Sequence, residues 1–440
     1  MRAMRIVGLA LAAIMLGGLA LVASGQAEQS RIAGLPQDVL SQPMQGVHSA
    51  ILAKFNYGLG LFRHVREPSR RADGSVEGLG PLHNAQSCFA CHIRDGRGAM
   101  PDDGAETVGL VFNLVGPDGP DPVYGNQLQD RAVDGLLPEG RPVVDWHETE
   151  IHFADGAPIA LRAPRFSIAD LAYGPLDPAT RIEARLAPQL VGLGLLEAVD
   201  EHALAALADP DDADGDGISG RLNLVEAEEG LVAGRFGWSA TAPSLEAQSA
   251  KAAHLDMGLT APGFEAPGGD CQPAQAACRA LAHSDRLDLS ANDIFLMAFY
   301  VAHLGLPDRP REQDGEVAAG EAVFGTLGCG ACHRPVLTTS LDAPPEFADR
   351  TIAPFTDLLL HDMGPDLAGP RGSEWRTPPL WGIGLTEQVS GVTRYLHDGR
   401  ARNFAEAIAW HGGEAEAARN RFLALDARER AALYAFLGAL

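Results

Sequence analysis

The chain has 440 residues, 46% of them hydrophobic, and carries 58 acidic against 34 basic side chains for a net charge of −24. That much apolar chain is enough for two or three domains with cores of their own. The acidic excess is spread along the chain, which argues against nucleic acid or anionic membrane as a partner and suits a basic electron-transfer protein or plain solubility.

The N-terminus reads Met1-Arg-Ala-Met-Arg5, then an apolar run over 6–22, then small residues up to Ala27. A charged start, an apolar stretch and a small-residue zone describe a signal peptide over 1–27. The run is slightly long for a signal and slightly short for a membrane span, so a retained anchor is the alternative. The first cysteine is Cys88, which excludes a lipoprotein. The expected compartment is the bacterial periplasm, with a membrane involved only if the signal segment is kept.

A polar lead-in occupies 28–45 and a helix is expected over 46–62, ahead of Cys88-Phe-Ala-Cys91-His92. From about 105 to 165, Val, Phe, Pro and Gly alternate with polar residues, the pattern of short strands and long loops. Helical periodicity returns over 175–209 with Leu186, Leu190, Leu193, Leu196 and Val199. Further helices are expected over 243–256, 290–304, 315–327, 403–412 and 427–440. The third of these carries Val317, Ala318 and Val323 and leads into Cys329-Gly-Ala-Cys332-His333, the layout of a small cytochrome c. The predicted fold is therefore mainly α. It has two cytochrome c-like haem domains, over 28–312 and 313–440, the first with a loop- and strand-containing insertion at about 105–228.

Both motifs are Cys-x-x-Cys-His, 241 residues apart. In this pattern the thiols form thioethers to the haem vinyl groups and the histidine is the proximal iron ligand. One match arises by chance or belongs to a zinc or dithiol site. Two in an exported chain point to two covalent haems c, on Cys88, Cys91 and His92 and on Cys329, Cys332 and His333. The remaining cysteines, Cys271 and Cys278, are expected to form a local disulfide in an oxidising compartment, since their spacing is not that of a thioredoxin-type pair. Asp212, Asp214 and Asp216, followed by Gly217, set carboxylates on alternate residues before a sharp turn, the pattern of a structural calcium loop. Asn223 stands where the bidentate Glu of such a loop belongs, and a metal-free acidic turn is the competing reading.

Several stretches resemble the bacterial di-haem oxidoreductases, a family that carries peroxidase and thiol-oxidoreductase labels. They are Gly78-Leu-Gly-Pro-Leu-His-Asn-Ala-Gln-Ser-Cys-Phe-Ala-Cys-His, Asp214-Gly-Asp-Gly-Ile-Ser-Gly-Arg, Gly234-Arg-Phe-Gly-Trp, Leu360-His-Asp-Met-Gly-Pro and Trp375-Arg-Thr-Pro-Pro-Leu-Trp-Gly. Arg394-Tyr-Leu-His-Asp-Gly-Arg-Ala and Trp410-His-Gly-Gly-Glu complete the set. That family in turn looks like a divergent branch of the di-haem cytochrome c peroxidases. The thiol label has little behind it, because the only spare thiols are Cys271 and Cys278.

The resemblance implies a set of roles. Trp238 would lie between the haems as an electron relay, with Gln248 and Asp256 above the first. Asp256 would be the general acid/base where the peroxidases use Glu. Counting fourteen residues from His397, where those enzymes place a methionine ligand, reaches His411. This makes His333 and His411 the axial pair of the second haem, and imidazole in place of thioether lowers its potential. The displaceable histidine of the peroxidases is replaced by Val108, so the first haem is expected to be open or water-bound, with Met100 and His152 as other candidates to close it. The insertion is expected to cover the first haem, with Glu148 and Glu150 as acidic candidates. For His254, His361 and Met363, packing is the simpler reading.

The expected function is a periplasmic di-haem oxidoreductase. It would react with peroxide or dioxygen at the first haem, pass electrons through the second and draw on an electron-transfer partner protein. A two-haem electron carrier without turnover is the alternative, and a haem sensor or iron-uptake accessory is a third reading.

Overall fold

In the computed structural model, residues 31–32, 38–70, 76–102, 107–227, 230–281, 286–309 and 314–440 are described. The signal expected over 1–27 lies outside its described residues. No helix among them is long and apolar enough to cross a membrane.

Helices form where apolar spacing and caps agree. Ser49–Arg63, Leu245–Met257, Ala291–Ala302, Gly315–Leu327 and Ala427–Gly438 fall close to the expected spans. Ser290 with Asp293 and Asp426 with Glu429 close capping boxes, and Ser244 accepts from the Ala247 N–H. Two helix pairs cross at a glycine. Gly58 lets Ser49–Arg63 lie on the Leu296 backbone, and Gly320 does the same for Gly315–Leu327 on Ala432. A Cβ at either position would collide with main chain.

The fold is nonetheless not mainly α. It is 30% helix and 22% strand, the strands forming many small sheets. Much of the difference comes from the stretch after the first motif. Leu110–Gly116 pairs antiparallel with Arg181–Leu186, over a small core of Phe112, Leu114, Tyr124, Leu128 and Ala184. The helical spacing expected over 175–209 therefore resolves into a strand followed by two short helices, Leu193–Glu197 and Glu201–Ala205. Pro188 lacks an N–H, and Gly192 takes φ 71°, so one continuous helix cannot form there.

The largest strand pair is a hairpin, Arg141–His152 with Pro158–Ala169, paired from Arg141↔Ala169 to His152↔Pro158. Its tip does not stay with the first motif. Phe153, Ile159 and Leu161 are buried in one cluster with Phe422, Leu433 and Phe436 of the C-terminal part. The Ala154 N–H donates to the Leu423 carbonyl at 2.8 Å. Arg430 pairs with Asp155 at 2.7 Å and lies 4.0 Å over the Phe153 ring. A second cluster also spans the expected boundary, since Leu337, Phe347, Trp381 and Val389 pack with Phe55, Leu190, Leu195 and Tyr300.

Candidate di-haem active site

The first motif folds as the helix Cys88–Cys91, whose N-terminus is capped by the Ser87 hydroxyl accepting from the Ala90 N–H. His92 follows and gives its Nδ1–H to the Pro188 carbonyl at 2.8 Å. The second motif ends a helix at Gly328, which takes φ 84°, and His333 gives Nδ1–H to the Phe355 carbonyl at 2.9 Å. His411 does the same with the Ala407 carbonyl at 2.7 Å. Each ring thus has its tautomer set by a main-chain acceptor, which leaves Nε2 as the basic nitrogen. Burial pushes His92 and His333 down to about 4, and His411 below the ordinary histidine range. His411 lies near enough to His333 to depress it further by like charge. The Cys88, Cys91 and Cys329 thiols are pushed up to about 12 by burial, and Cys332 is raised as well.

These residues fit a haem at each motif. Beyond thiols and imidazoles in the right pattern, Arg97 Nε, Arg394 Nε and Trp410 Nε1 are buried donors without a protein partner. Such donors suit the carboxylates of a buried porphyrin. Residues after His92 are held in an unusual turn, with Arg94 and Asp95 at φ 50° and 62°. The fully buried Asp95 carboxylate pins that turn by accepting from Ser41 Oγ at 2.6 Å and Tyr300 Oη at 2.8 Å.

The residues expected around the first motif are partly gathered there. Asp256 sits at the end of Leu245–Met257, and its carboxyl raises both Cys88 and Cys91. Burial lifts Asp256 itself to about 6, against a hydrogen bond from Gln127 at 2.8 Å that lowers it. Gln248 lies two turns earlier on the same helix, its side-chain oxygen beside Gly237. Trp238 is buried between the two parts. Its Nε1–H donates to the Leu186 carbonyl at 2.9 Å, its own carbonyl accepts from the Arg376 N–H at 2.9 Å, and its ring meets His397 edge-on at 6.5 Å. His397 in turn stacks on Trp375 with ring centres 3.7 Å apart.

Other candidates lie elsewhere. Met100 packs against Gly399. His152, exposed on the hairpin, sits 3.1 Å from Glu150, and Glu148 sits 3.4 Å from Arg402 of the C-terminal part. His254 stacks on Phe264. In the acidic loop the carboxylates that converge are those of Asp209, Asp212 and Asp214, while Asp216 accepts from the Ile218 N–H at 2.9 Å. Asn223 ties instead to the Ser239 and Ala240 carbonyls. Cys271 and Cys278 are joined in a disulfide.

Sequence reasoning passed over His361, read as packing. Its imidazole is clamped between Asp357 at 2.9 Å and Glu414 at 2.7 Å, 3.6 Å from the Cys332 sulfur. Burial lowers this histidine, but the hydrogen bonds with Asp357, Cys332 and Glu414 outweigh it and lift it to about 12. Ser219 Oγ donates to Glu414 at 2.8 Å, which stitches the acidic loop to the second motif. Leu360-His-Asp-Met-Gly-Pro was visible as a motif, but nothing local announced that Asp357 and Glu414 converge on it. Gln127, beside Asp256, carried no signal, and Asn84 stood inside the stretch 78–92 without a role being read for it.

Compared with known families, residues 20–112 and 140–440 match the one described as "Di-haem oxidoreductase, putative peroxidase". The chain belongs to this di-haem oxidoreductase family. No curated protein and no solved structure matches it. The family match passes over 113–139, the stretch that brings Gln127 to Asp256.

Proposed function

We propose that this di-haem oxidoreductase acts as a peroxidase-type enzyme with two covalent haems c, reducing peroxide or dioxygen at the Cys88–His92 site and exchanging electrons through the Cys329–His333 site. The observation that carries the reading is an asymmetry. The first motif has beside it a carboxyl held near neutrality, Asp256, whereas the second is faced by a second imidazole, His411. When bound, the haems supply iron for the redox step and storage for an electron. Asp256 holds a proton near pH 6 and moves it between oxygens of the bound oxidant. His333 and His411 are the imidazoles that would hold the iron of the second haem. Trp238, bonded to Leu186 on one side and Arg376 on the other, is the electron path between the two.

Export by 1–27 to the periplasm and an acidic surface that receives a basic redox partner complete the proposal. Asp209, Asp212 and Asp214 are the carboxylates that would hold structural calcium in the acidic loop. Low-temperature EPR of the oxidised holoprotein, before and after hydrogen peroxide, tests the reading. One high-spin and one bis-histidine low-spin signal, with the first lost on peroxide, is expected. Two low-spin signals indifferent to peroxide would make the protein an electron carrier.

A further inference from the structure

The carboxyl of Asp256 is held by a chain of amides whose direction can be assigned. Asn84 Nδ2 donates to the Leu128 carbonyl at 2.8 Å and to Asp130 Oδ1 at 2.9 Å. The Leu128 carbonyl can only accept, so the nitrogen end of Asn84 is committed and its oxygen faces the other way. That oxygen lies 2.8 Å from Gln127 Nε2, which must therefore present hydrogen and not a lone pair. The same nitrogen lies 2.8 Å from Asp256 Oδ1, with the Leu255 carbonyl a more distant neighbour at 3.4 Å. Gln127 cannot turn its amide over without setting its oxygen against Asn84 Oδ1.

The backbone around this amide is equally fixed. Leu128 N–H donates to the Phe112 carbonyl at 2.9 Å and Leu114 N–H to the Asn126 carbonyl at 2.8 Å, so the segment rides on Leu110–Gly116. Asp270 accepts from the Asn126 and Gln127 N–H groups. Gln129 Nε2 donates to the Leu255 carbonyl at 2.9 Å, next to Asp256. On the other side, the Asp256 carbonyl accepts from the Asn84 and Ala85 N–H groups at 2.8 and 3.0 Å. Gln127 is only 3% exposed, so water does not compete for its amide.

We infer that Gln127 is a positioning residue for Asp256, holding Oδ1 as a standing acceptor so that Oδ2 alone takes and gives the proton. The inference rests on the reading of Asp256 as the acid/base, and it assigns a role to a residue in the stretch that the family match passes over. Around the same pocket stand Arg66 beside Cys88, and Asp130 and Arg131 beside Cys91. Burial and the Gln127 bond are what set the proton affinity of Asp256.

The sign of the effect follows. A donor on Oδ1 favours the ionised form, so removing it raises the proton affinity of Asp256. In holoprotein, the protonated-carboxyl infrared band that disappears in Asp256→Asn reports this group directly, apart from turnover. Its midpoint is expected near pH 6 in the parent and about one unit higher in Gln127→Leu. The acid limb of peroxide turnover should move with it. Asn84→Ala frees the Gln127 amide to rotate and should give a smaller shift in the same direction, a second route if Gln127→Leu fails to take up haem. Asp256→Asn with full turnover would sink the acid/base reading itself. Asp256→Asn inactive, with the midpoint unmoved in Gln127→Leu or, where that variant does not assemble, in Asn84→Ala, would overturn the role of Gln127 alone.

Discussion

His333 and His411, proposed to hold the second haem, are oriented by the same local device, a main-chain carbonyl on Nδ1 at 2.9 and 2.7 Å. Each carbonyl comes from the residue's own neighbourhood in the fold, so the ring is aimed before any metal arrives and is neutral at physiological pH. Replacing His411 by Ala should convert the second haem from low to high spin in the oxidised protein. An unchanged low-spin EPR signal would show that another side chain is the ligand. Cys-x-x-Cys-His, read from the chain, names His92 and His333, because haem attachment of that kind demands contiguous residues. His411 came only through a resemblance, and the His361 clamp not at all, because its carboxylates lie four and 53 residues away.

At the level of elements, what could be read from the chain divides by how local the cause is. Helices with their own caps and a 3.6-residue period, such as Ala291–Ala302, are specified within a dozen residues and were placed to within two or three. Strands were read only as a tendency, since each needs a partner and the sequence does not say which. Leu110–Gly116 finds its partner some 70 residues on, and the stretch between them carries the long hairpin. The hairpin of the insertion lies as a strap on the C-terminal part. Phe153 shows the consequence. It is 7% exposed, edge-on to Phe422 at 5.2 Å, so Phe153→Ala should cost about 3 kcal/mol or more in denaturant unfolding. A loss near zero would mean that the tip merely lies on the surface.

For the whole molecule, the proposed electron path turns on Trp238, a buried aromatic bonded to Leu186 in one part and Arg376 in the other. Trp238→Phe keeps an aromatic ring at the position and removes the Nε1 donor and the rest of the indole. Both haem spectra should stay as in the parent while electron exchange between the haems slows, as followed by rapid reduction kinetics. Unaltered exchange would assign the path to other groups, with the stacked His397 and Trp375 next in line.

The hairpin strap also bears on how the protein is made. Phe153, Ile159 and Leu161 are synthesised long before the surfaces they finally cover, around Phe422 and the helix Phe404–Ala409. Until the C-terminal part exists, a sticky β-ribbon has nowhere to dock, and pairings this distant in sequence form slowly. The newborn chain therefore has a long window in which the ribbon can pair with a neighbouring copy. Its edge charges, from Arg141 and Asp145 to Glu148 and Glu150, are well placed to discourage that.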